Sequence, residues 1–381
     1  MNIPVLEDLG DLTNKNVLVR SDLNVPLEYD SDGNATIGDV FRIQASLPTI
    51  EWLVDRGAKV TVCSHLGRPK GKVVEKYSMR PVREYIEARL PEVTVMENLR
   101  FNPGEEANDP AFVAQLIVGQ DAYVDDAFGA SHRAHASIVG PPRFLPSAAG
   151  RLLAREYQVL SGLLEGPKRP FVAIIGGAKV SDKLALLEAM VNKVDKLLIG
   201  GAMAYTFMAA QGHEVGESLF EADRIDSCRR ILASGANVLV PVDSMVLAAS
   251  EKFGRGVSGS AAVAKRGDIP AGFRGLDIGP ETIAIFEAAL VGAKTILWNG
   301  PMGVFEDARF GTGTFSIARA VADSDAFSVV GGGDSAAAIA EAGLASSISH
   351  LSTGGGASLE LLEKGDLPGL AALRGAPRSA G

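Results

Sequence analysis

The sequence predicts an α/β protein of two domains, each built around a parallel sheet flanked by helices. The chain has 381 residues, which is too long for one ordinary core and suits two domains of roughly 150 to 200 residues. Short β-branched runs recur along it, and each is followed by a glycine or polar turn and then by helical periodicity. That alternation is typical of parallel strands joined by crossover helices.

The predicted strands form two sets along the chain. The first set lies in the first 150 residues and comprises Val17 to Arg20, Val60 to Ser64, Val93 to Met96 and Ala122 to Asp125. The second comprises Phe171 to Ile175, Lys196 to Ile199, Val238 to Val242, Thr295 to Trp298, Phe327 to Val330 and Ile348 to Leu351. Between the sets, the stretch GPPRFLPSAAG and a helical pattern from Arg151 to Leu164 predict the domain junction.

Composition and charge exclude several classes of protein. The 46% hydrophobic and 22% charged residues are typical of soluble globular proteins, and the net charge of −9 argues against general nucleic-acid binding. The longest uncharged run, Leu197 to Gly212, is shorter than the ~20 residues of a membrane-spanning helix. Two cysteines, Cys63 and Cys228, and an N-terminus without signal-peptide features predict a cytoplasmic protein.

Cationic side chains follow the first set of strands. His65 and Arg68 come directly after the second strand, and Arg100 and Arg133 lie in the loops after the third and fourth. Ligands of open α/β sheets bind beyond the carboxyl ends of the strands, and guanidinium groups suit a ligand with carboxylate or phosphate groups. A solvated basic loop is the alternative reading for the His65 segment.

Two further features of the first half leave alternatives open. Asp22 and Asn24 follow the first strand, but an Asx turn stopped by Pro26 explains them about as well as a ligand site does. His132 and His135 resemble a metal pair, yet no thiolate or third histidine is near in sequence. A polar loop is therefore favoured over a transition-metal site.

The second set of strands is followed by glycine-rich loops. Gly176-Gly177 precede Lys179 and Lys183 and then a helical pattern, which predicts a phosphate site at a helix N-terminus with both lysines on one helical face. It is not a Walker A loop, because the GxxxxGK[ST] spacing is absent. Similar loops are Gly200-Gly201, Gly331 to Ser335 and Gly354 to Ser358. Helix–sheet packing by small residues is an alternative explanation for any one of them, but it explains several poorly.

The second half also contains a candidate metal ligand and an apparent dinucleotide-binding motif. Asp334, inside the Gly331 to Ser335 loop, stands where a Mg²⁺ ligand beside a phosphate is expected. Gly254 to Gly259 matches GxGxxG, the dinucleotide fingerprint, but it lies several residues beyond its strand and does not open the first βαβ unit. A Rossmann dehydrogenase is therefore disfavoured.

Taken in order, these segments resemble the phosphoglycerate kinase family along nearly the whole chain. RSDLNVP is similar to the family's opening RVDFNVP, and SHLGRPKGK, ENLRF, DDAFGASHRAH, GGAKVSDK, GLDIGPET, WNGPMGVFE, GGGDS and STGGGASLELL follow at family-like spacings. Ser21 and Leu23 depart from the family pattern, and so does the order Lys364-Gly365 before LPG. The first two departures leave Asp22 and Asn24 in place, and the third lies at the start of the expected C-terminal crossover.

The resemblance implies two Rossmann-like domains joined by a hinge helix and a C-terminal crossover. The phosphoglycerate-binding domain would span residues 1–150, with a tail from about 365 to 381 packing back on it. The interdomain helix would span residues 151–166 and the nucleotide-binding domain residues 167–364.

The resemblance also implies the site residues. Substrate would contact Asp22, Leu23, Asn24, Arg42, His65, Leu66, Gly67, Arg68, Arg100 and Arg133. Nucleotide would contact Lys179, Lys183, Gly275, Asn299, Glu306, Gly332, Gly333, Asp334 and Ser335, with Asp334 binding Mg²⁺. Catalysis would fall to Arg42, Lys179 and the backbone amides of Gly354, Gly355 and Gly356.

The implied activity is reversible phosphoryl transfer between 1,3-bisphosphoglycerate and ADP, giving 3-phosphoglycerate and ATP in glycolysis and gluconeogenesis. The acceptor is a carboxylate with a pKa near ~4, so no general base is required and positioning with charge neutralisation suffices. Hinge-bending closure would exclude water. A monomer is the family expectation, and a non-catalytic nucleotide-binding protein on the same fold is the rival hypothesis.

Overall fold

The computed structural model describes residues 3–31, 35–259 and 262–378, and it confirms the predicted α/β class. The chain folds as two compact units. Unit 1 comprises Met1–Ser161 with Lys364–Gly381, and unit 2 comprises Gly162–Glu363. The first division in sequence falls inside the helix that begins at Arg151. The C-terminal residues from Lys364 belong to unit 1, although residues 379–381 lie outside the described residues.

The described residues form sixteen strands and fourteen α-helices. The strands are β1 Asn16–Ser21, β2 Leu27–Tyr29, β3 Ala35–Ile37, β4 Lys59–Cys63, β5 Thr94–Val95, β6 Ala122–Asp126, β7 Ser147–Ala149, β8 Phe171–Ile175, β9 Lys196–Ile199, β10 Val238–Leu239, β11 Asp243–Ala248, β12 Val263–Arg266, β13 Phe273–Ile278, β14 Thr295–Asn299, β15 Phe327–Gly331 and β16 His350–Leu351. The helices are α1 Phe41–Val54, α2 Arg80–Glu87, α3 Gly104–Ala107, α4 Pro110–Ile117, α5 Ala136–Val139, α6 Arg151–Glu165, α7 Leu184–Val191, α8 Met203–Ala210, α9 Ile225–Leu232, α10 Pro280–Leu290, α11 Thr312–Ala322, α12 Gly333–Glu341, α13 Gly356–Lys364 and α14 Pro368–Arg374.

Unit 1 is built on a parallel sheet in the order β5-β4-β1-β6-β7. β1 pairs with β4 on one side and with β6 on the other, so Arg20 lies beside both Cys63 and Asp125. Val17, Val19 and Val60 belong to its buried core, as expected of parallel strands covered on both faces. The carboxyl ends of β1, β4 and β6 therefore meet at one edge.

Unit 2 contains a second parallel sheet in the order β10-β9-β8-β14-β15-β16. Its core includes Val172, Ile174, Ile296 and Trp298, all fully buried. A separate, smaller antiparallel sheet has the strand order β12-β11-β13. The pairing of β11 with β13 shifts register between Met245 and Val246. The loops after β8, β9 and β14, the start of α12 and strand β13 all contribute residues to one cavity.

Several elements differ from the sequence predictions. The hairpin β2–β3 and the antiparallel sheet were not predicted, because short strands with exposed residues carry a weak hydrophobic pattern. The stretch GPPRFLPSAAG, predicted as a junction, contains β7, which pairs with β6 inside unit 1. The predicted strand from Val238 to Val242 ends at Leu239. Within the described residues, no helix is both long and apolar enough to cross a membrane.

Candidate active site

Unit 1 holds a buried arginine against a histidine at the end of its central strands. Arg20, near the end of β1, is fully buried, and His65 follows β4. The Arg20 Nη2 lies 3.0 Å from the His65 Nδ1. A guanidinium group can only donate, so the His65 Nδ1 is the acceptor. Burial and then the charge of Arg20 lower the pKa of His65 well below its ordinary value, which keeps the imidazole neutral.

Arg100 and His135 extend this basic cluster. The buried Arg100 donates from Nη1 to the Gly67 carbonyl at 2.8 Å, and its Nε lies 3.4 Å from Glu106 Oε1. Burial lowers the pKa of Arg100, but a guanidinium group stays protonated at neutral pH. Burial, followed by the charge of Arg100, lowers the pKa of His135 to about 4. Fixed cations and neutral imidazoles therefore lie together at this edge.

Asp22, Asn24 and Arg42 join the cluster from the loop after β1 and from α1. Arg42 donates to the Asp22 carboxylate, and Asn24 Oδ1 accepts the Gly67 N–H at 2.8 Å. The side chain of Arg42 remains 37% exposed. The structure thus brings these three predicted residues to the edge that also carries His65.

The remaining predicted substrate residues divide by exposure. Leu23 and Leu66 are buried, so they support the loops through packing. Arg68 is exposed and Arg133 is partly exposed, with its Nε 3.2 Å from the His132 Nε2. Arg68 and Arg133 therefore offer donors to a ligand, whereas Arg20 does not reach solvent.

Buried carboxylates lie behind the cations. Glu105, fully buried in α3, accepts the Ser137 N–H at 2.9 Å and the Ser137 hydroxyl at 2.6 Å. Asp125, at the end of β6, accepts the Ala127 N–H at 2.9 Å, and burial raises its pKa to about 6. Buried charges are tolerated when opposite charges and hydrogen bonds surround them. These acids partly offset the charge of Arg20.

In unit 2, the loops that follow β8, β9 and β14 contact one another through their backbones. A Cβ on Gly176 would lie 2.1 Å from the Pro301 carbonyl oxygen, and one on Gly300 would lie 2.1 Å from the Gly176 carbonyl oxygen. Gly201, at φ 67°, would meet Gly177 at 2.5 Å. Close packing, the alternative left open by the sequence, therefore accounts for these glycines.

Two other glycines face open space. A Cβ on Gly333, the first residue of α12, or on Gly355, just before α13, would meet no heavy atom of the described residues within 4 Å. Packing does not require glycine at these positions. They leave the N-termini of α12 and α13 open to a ligand, and exposed N–H groups with the helix dipole favour an anion there.

Lys183, Asn299 and Asp334 form the polar part of the second site. Lys183 donates to Asn299 Oδ1, and the buried Asn299 donates from Nδ2 to the Gly331 carbonyl at 2.7 Å. Burial lowers the pKa of Lys183, while the nearby Asp334 charge opposes that shift. Ser335 accepts the Gly300 N–H at 2.6 Å and thereby joins α12 to the loop after β14.

The prediction that Lys179 and Lys183 share a helical face is wrong. α7 begins at Leu184, so both lysines precede the helix. Lys183 immediately precedes α7 at the end of a short turn of residues 181–183, and this turn separates Lys179 from the helix. Lys179 is exposed, and Lys183 is partly buried against Asn299.

A cavity of about 640 Å³ in unit 2 is lined in part by Asp334 and by the loop after β8. Its apolar lining includes Phe220, Phe253 and Leu276, and its polar lining includes Glu306 and Asp334. The backbone of Gly177, Gly201 and Gly275 completes the wall. Gly275 is required there, because a Cβ would lie 2.3 Å from the Tyr205 hydroxyl. A largely apolar cavity with few polar groups suits a small organic ligand.

The Gly354 to Gly356 loop is held by two serines. Gly354 donates its N–H to the Ser352 hydroxyl at 3.2 Å, and the Ser352 and Ser358 hydroxyls lie 2.6 Å apart. Gly355 has φ 51°, a conformation that favours glycine. α13 begins at Gly356. The loop therefore has a fixed path into the helix N-terminus.

The residues present fit Mg²⁺ held chiefly by a phosphorylated ligand. In the described part of the chain, no group of three or more His, Cys, Asp or Glu side chains could hold a metal ion. Asp334 nevertheless supplies one carboxylate on the cavity wall beside the N-terminus of α12. Mg²⁺ commonly takes one or two protein carboxylates and completes its shell with water and phosphate oxygens.

Arg20, Ser137 and Glu105 are not among the site residues predicted from the sequence. The sequence contains one indication for Arg20, because it directly follows the apolar run Val17 to Val19 and a charged residue buried at such a position needs a partner. It contains none for Ser137 and Glu105, because their contacts depend on α3 and α5 meeting β1. Each gains its role only through tertiary packing.

The fold and these residues define a two-unit α/β protein with a basic anion site in one unit and a glycine-lined cavity in the other. The family model of phosphoglycerate kinase matches residues 6–95 and 87–365. A phosphoglycerate kinase of Salinispora arenicola is 50% identical, with 98% of this chain and 100% of the relative covered. The chain belongs to the phosphoglycerate kinase family.

Solved structures agree with this family. The structure of phosphoglycerate kinase from Coxiella burnetii matches with a TM-score of 0.89 and 37% identity, covering 98% of this chain and 99% of that chain. Phosphoglycerate kinase from Pyrococcus horikoshii matches with a TM-score of 0.80 and 31% identity over the same shares. The fold class and the family predicted from the sequence are both confirmed.

Proposed function

We propose that this chain catalyses the reversible transfer of a phosphoryl group between 1,3-bisphosphoglycerate and ADP, giving 3-phosphoglycerate and ATP. Family membership over nearly the whole chain is the observation that carries the proposal. It does not favour the rival hypothesis, a non-catalytic nucleotide-binding protein. The strand-end cations of unit 1 and the cavity of unit 2 agree with an anionic substrate and a nucleotide, respectively.

The proposed glycerate site is the basic edge of unit 1. His65, Arg68, Arg100, Arg133 and Arg42 would surround a ligand that carries both phosphate and carboxylate groups. Arg68, Arg133 and Arg42 have exposed surface and would contact it directly, whereas Arg100 already donates to Gly67 and would mainly hold the loop. Charge-assisted hydrogen bonds from guanidinium groups suit such a ligand.

The Asp22 and Asn24 side chains would orient the cationic groups of this site. Asp22 pairs with Arg42, and Asn24 holds the Gly67 N–H. Both contacts fix a cation-bearing segment to the loop after β1. Their role would be to hold donors in place and, where exposed, to bind substrate hydroxyl groups.

The proposed nucleotide site is the cavity of unit 2. Gly275 and Glu306 would border the nucleoside, and Lys183, Asn299 and the N-terminus of α12 would face its phosphates. Gly332, Gly333 and Ser335 belong to that N-terminal turn. Asp334 would hold the nucleotide's Mg²⁺, which supplies charge neutralisation when bound.

The proposed chemistry needs no general base. The accepting group in the ATP-consuming direction is a carboxylate with an ordinary pKa near ~4, so it is ionised at neutral pH. Arg42, Lys179 and the amides of Gly354, Gly355 and Gly356 would neutralise charge on the transferred group. Since the two ligands would bind on different units, transfer requires a closure that brings them together and excludes water.

A coupled assay with purified protein tests the function. MgATP consumption that depends strictly on 3-phosphoglycerate is the expected result. A correctly folded protein with no turnover of that pair would exclude the proposed activity. Nucleotide binding without turnover would instead support the rival hypothesis.

Membership of the family also leads to an expected location and oligomeric state. We expect the protein to act in the cytoplasm as a monomer. Size-exclusion chromatography with light scattering tests the second point: a mass near the 39.8 kDa of one chain supports it, and a multiple contradicts it.

A further inference from the structure

A chain of four side chains runs from the interior of unit 1 to the basic edge. The Glu105 carboxylate accepts both the N–H and the hydroxyl of Ser137, at 2.9 and 2.6 Å. The Ser137 hydroxyl in turn accepts the Arg20 Nε–H at 2.9 Å. The Arg20 Nη2 then donates to the His65 Nδ1 at 3.0 Å. Each link has one possible direction, because carboxylates accept and guanidinium groups donate.

Three members of this chain do not reach solvent. Glu105, Ser137 and Arg20 are each fully buried, while His65 is 7% exposed. A fully buried group acts on a ligand only through another residue. Arg20 is also fixed by hydrogen bonds to the Ser21 carbonyl and, at 3.5 Å, to the Ser64 hydroxyl. The chain therefore ends in a single accessible group, the imidazole of His65.

We propose that Glu105 and Ser137 are positioning residues that act through Arg20 to fix the tautomer and orientation of His65, making it a neutral Nε2–H donor. Once Nδ1 accepts from Arg20, the imidazole proton must reside on Nε2. His65 then offers one directed hydrogen bond to an oxygen of the substrate and carries no charge of its own. This inference rests on the proposed function insofar as it assigns the acceptor to a phosphoglycerate.

The groups facing His65 agree with a neutral ring. Arg20, Arg100, Arg133 and His135 all oppose its protonation, and burial opposes it most. Glu105 lies 3.9 Å from the His135 Nδ1, so its charge acts on the neighbouring ring and on the Arg20 chain. The fixed positive charge of the site therefore comes from arginines, whereas His65 contributes one directed hydrogen bond.

The tautomer can be observed without any turnover. Protein carrying ¹⁵N-labelled histidine, with its five histidines, gives separate signals for protonated and unprotonated ring nitrogens, and a His65→Gln variant assigns those of His65. We expect an unprotonated Nδ1 and a protonated Nε2 from pH 6 to pH 8. A protonated Nδ1, or a charged ring, in that range would overturn the inference even if the enzyme is active.

Two variants test the positioning. Ser137→Ala removes the acceptor of the Arg20 Nε–H, and Glu105→Gln replaces one acceptor oxygen by a donor. Both should mix the His65 tautomers and raise KM for 3-phosphoglycerate about fivefold or more, with a smaller change in KM for MgATP, because one directed hydrogen bond is weakened. Unchanged His65 signals and unchanged KM in a folded Ser137→Ala protein would contradict the proposal.

A matched control lies in the same loop region. Ser131 is also fully buried, and its hydroxyl oxygen lies 3.2 Å from the Asp125 carboxylate and 3.0 Å from the Ala127 carbonyl oxygen, the two acceptors available to its single proton. Ser131→Ala removes a buried hydroxyl of the same kind but none of the hydrogen bonds that link Glu105, Ser137, Arg20 and His65. It should leave the His65 tautomer unchanged. Equal effects of Ser131→Ala and Ser137→Ala would indicate general loosening of the loop and overturn the specific role.

Discussion

The candidate sites of the two units are formed by different parts of the chain, side chains in unit 1 and backbone in unit 2. Unit 1 uses charged side chains, and its accessible cations are backed by buried groups such as Arg20, Glu105 and Asp125. Unit 2 uses backbone, since Gly176, Gly201 and Gly300 allow its loops to touch and the N-terminus of α12 faces the cavity region. A side-chain site loses discrete contacts on substitution, whereas a backbone site is disrupted by adding a single carbon atom.

Replacing Arg42 should have the largest effect on activity. Arg42→Ala removes a cation proposed to act on the transferred group, so kcat should fall by about 10³-fold, or roughly 4 kcal/mol. The Arg42 side chain is 37% exposed but its partner Asp22 is buried, so the free energy of unfolding should fall by about 2 kcal/mol, less than the effect on kcat. Steady-state kinetics and urea unfolding measure the two quantities.

Arg89→Ala is the control for that experiment. Arg89 forms an exposed ion pair with Glu51 at 2.8 Å and is not among the predicted site residues. Its removal should leave kcat unchanged. If Arg42→Ala lowers stability as much as activity, Arg42 has a structural role instead.

A methyl group at Gly176 should test the backbone site of unit 2. Gly176→Ala places a Cβ 2.1 Å from the Pro301 carbonyl oxygen, so the loops after β8 and β14 must separate. We expect a loss of about 3 kcal/mol in the free energy of unfolding. Gly333→Ala, where the same atom meets open space, should cost less than ~1 kcal/mol. Equal losses in the two variants would contradict the comparison.

Asp277 tests a buried carboxylate in unit 2. Its Oδ2 accepts the Gly313 N–H at 2.7 Å and its Oδ1 accepts the Ile278 N–H at 2.9 Å. Asp277→Asn turns one oxygen into a donor that faces an N–H, and should cost about 2 kcal/mol of stability. KM for nucleotide should also rise, because Gly303 packs on this carboxylate and lines the cavity.

Asp243→Asn provides the matched comparison within unit 2. Asp243 likewise accepts two backbone N–H groups, from Glu281 and Thr282, at the start of α10. Because Asp243 does not line the cavity, this variant should lose similar stability while keeping the nucleotide KM. A raised KM in both variants would show that the effect of Asp277→Asn reflects stability alone.

Asp126 should show the smallest effect at neutral pH. Burial raises its pKa from 3.8 to about 7, and a single oxygen, Oδ1, accepts the Leu152 and Leu153 N–H groups at the start of α6. Asparagine can keep both bonds, so Asp126→Asn should lie within ~1 kcal/mol of the wild type or above it near pH 7.

The raised pKa of Asp126 also predicts how its contribution to stability changes with pH. Folding raises the Asp126 pKa, so the folded state binds the proton more tightly and this group's contribution to stability falls as pH rises from about 4 to about 7. The asparagine variant should lack that part of the fall. Urea unfolding at several pH values measures it, and an unchanged slope would show that Asp126 is ionised throughout this range.

Most of the architecture could be predicted from local sequence, and the failures have a common cause. β1, β4, β8 and β14 are apolar runs that end in polar or glycine residues, and such runs are recognisable one at a time. The β2–β3 hairpin and the antiparallel sheet are short or partly exposed, so their residues carry little periodic signal.

The candidate site divides in the same way. The sequence could indicate His65, Arg68, Asp334 and the glycine loops, because each directly follows a strand end. It could not separate Gly176, which packing requires, from Gly333, which faces open space, since both look alike in sequence. Their distinction depends on which other loop lies opposite.

By itself, the sequence determined the α/β class, the family and the strand-end segments that carry the proposed chemistry. Only the tertiary structure decided which groups support them. Arg20 and Ser137 are 117 residues apart in sequence, yet their hydrogen bond directs the His65 imidazole. Local patterns record burial and turns, which each segment expresses alone, whereas tautomers, shifted pKa values and backbone contacts depend on neighbours that folding brings together.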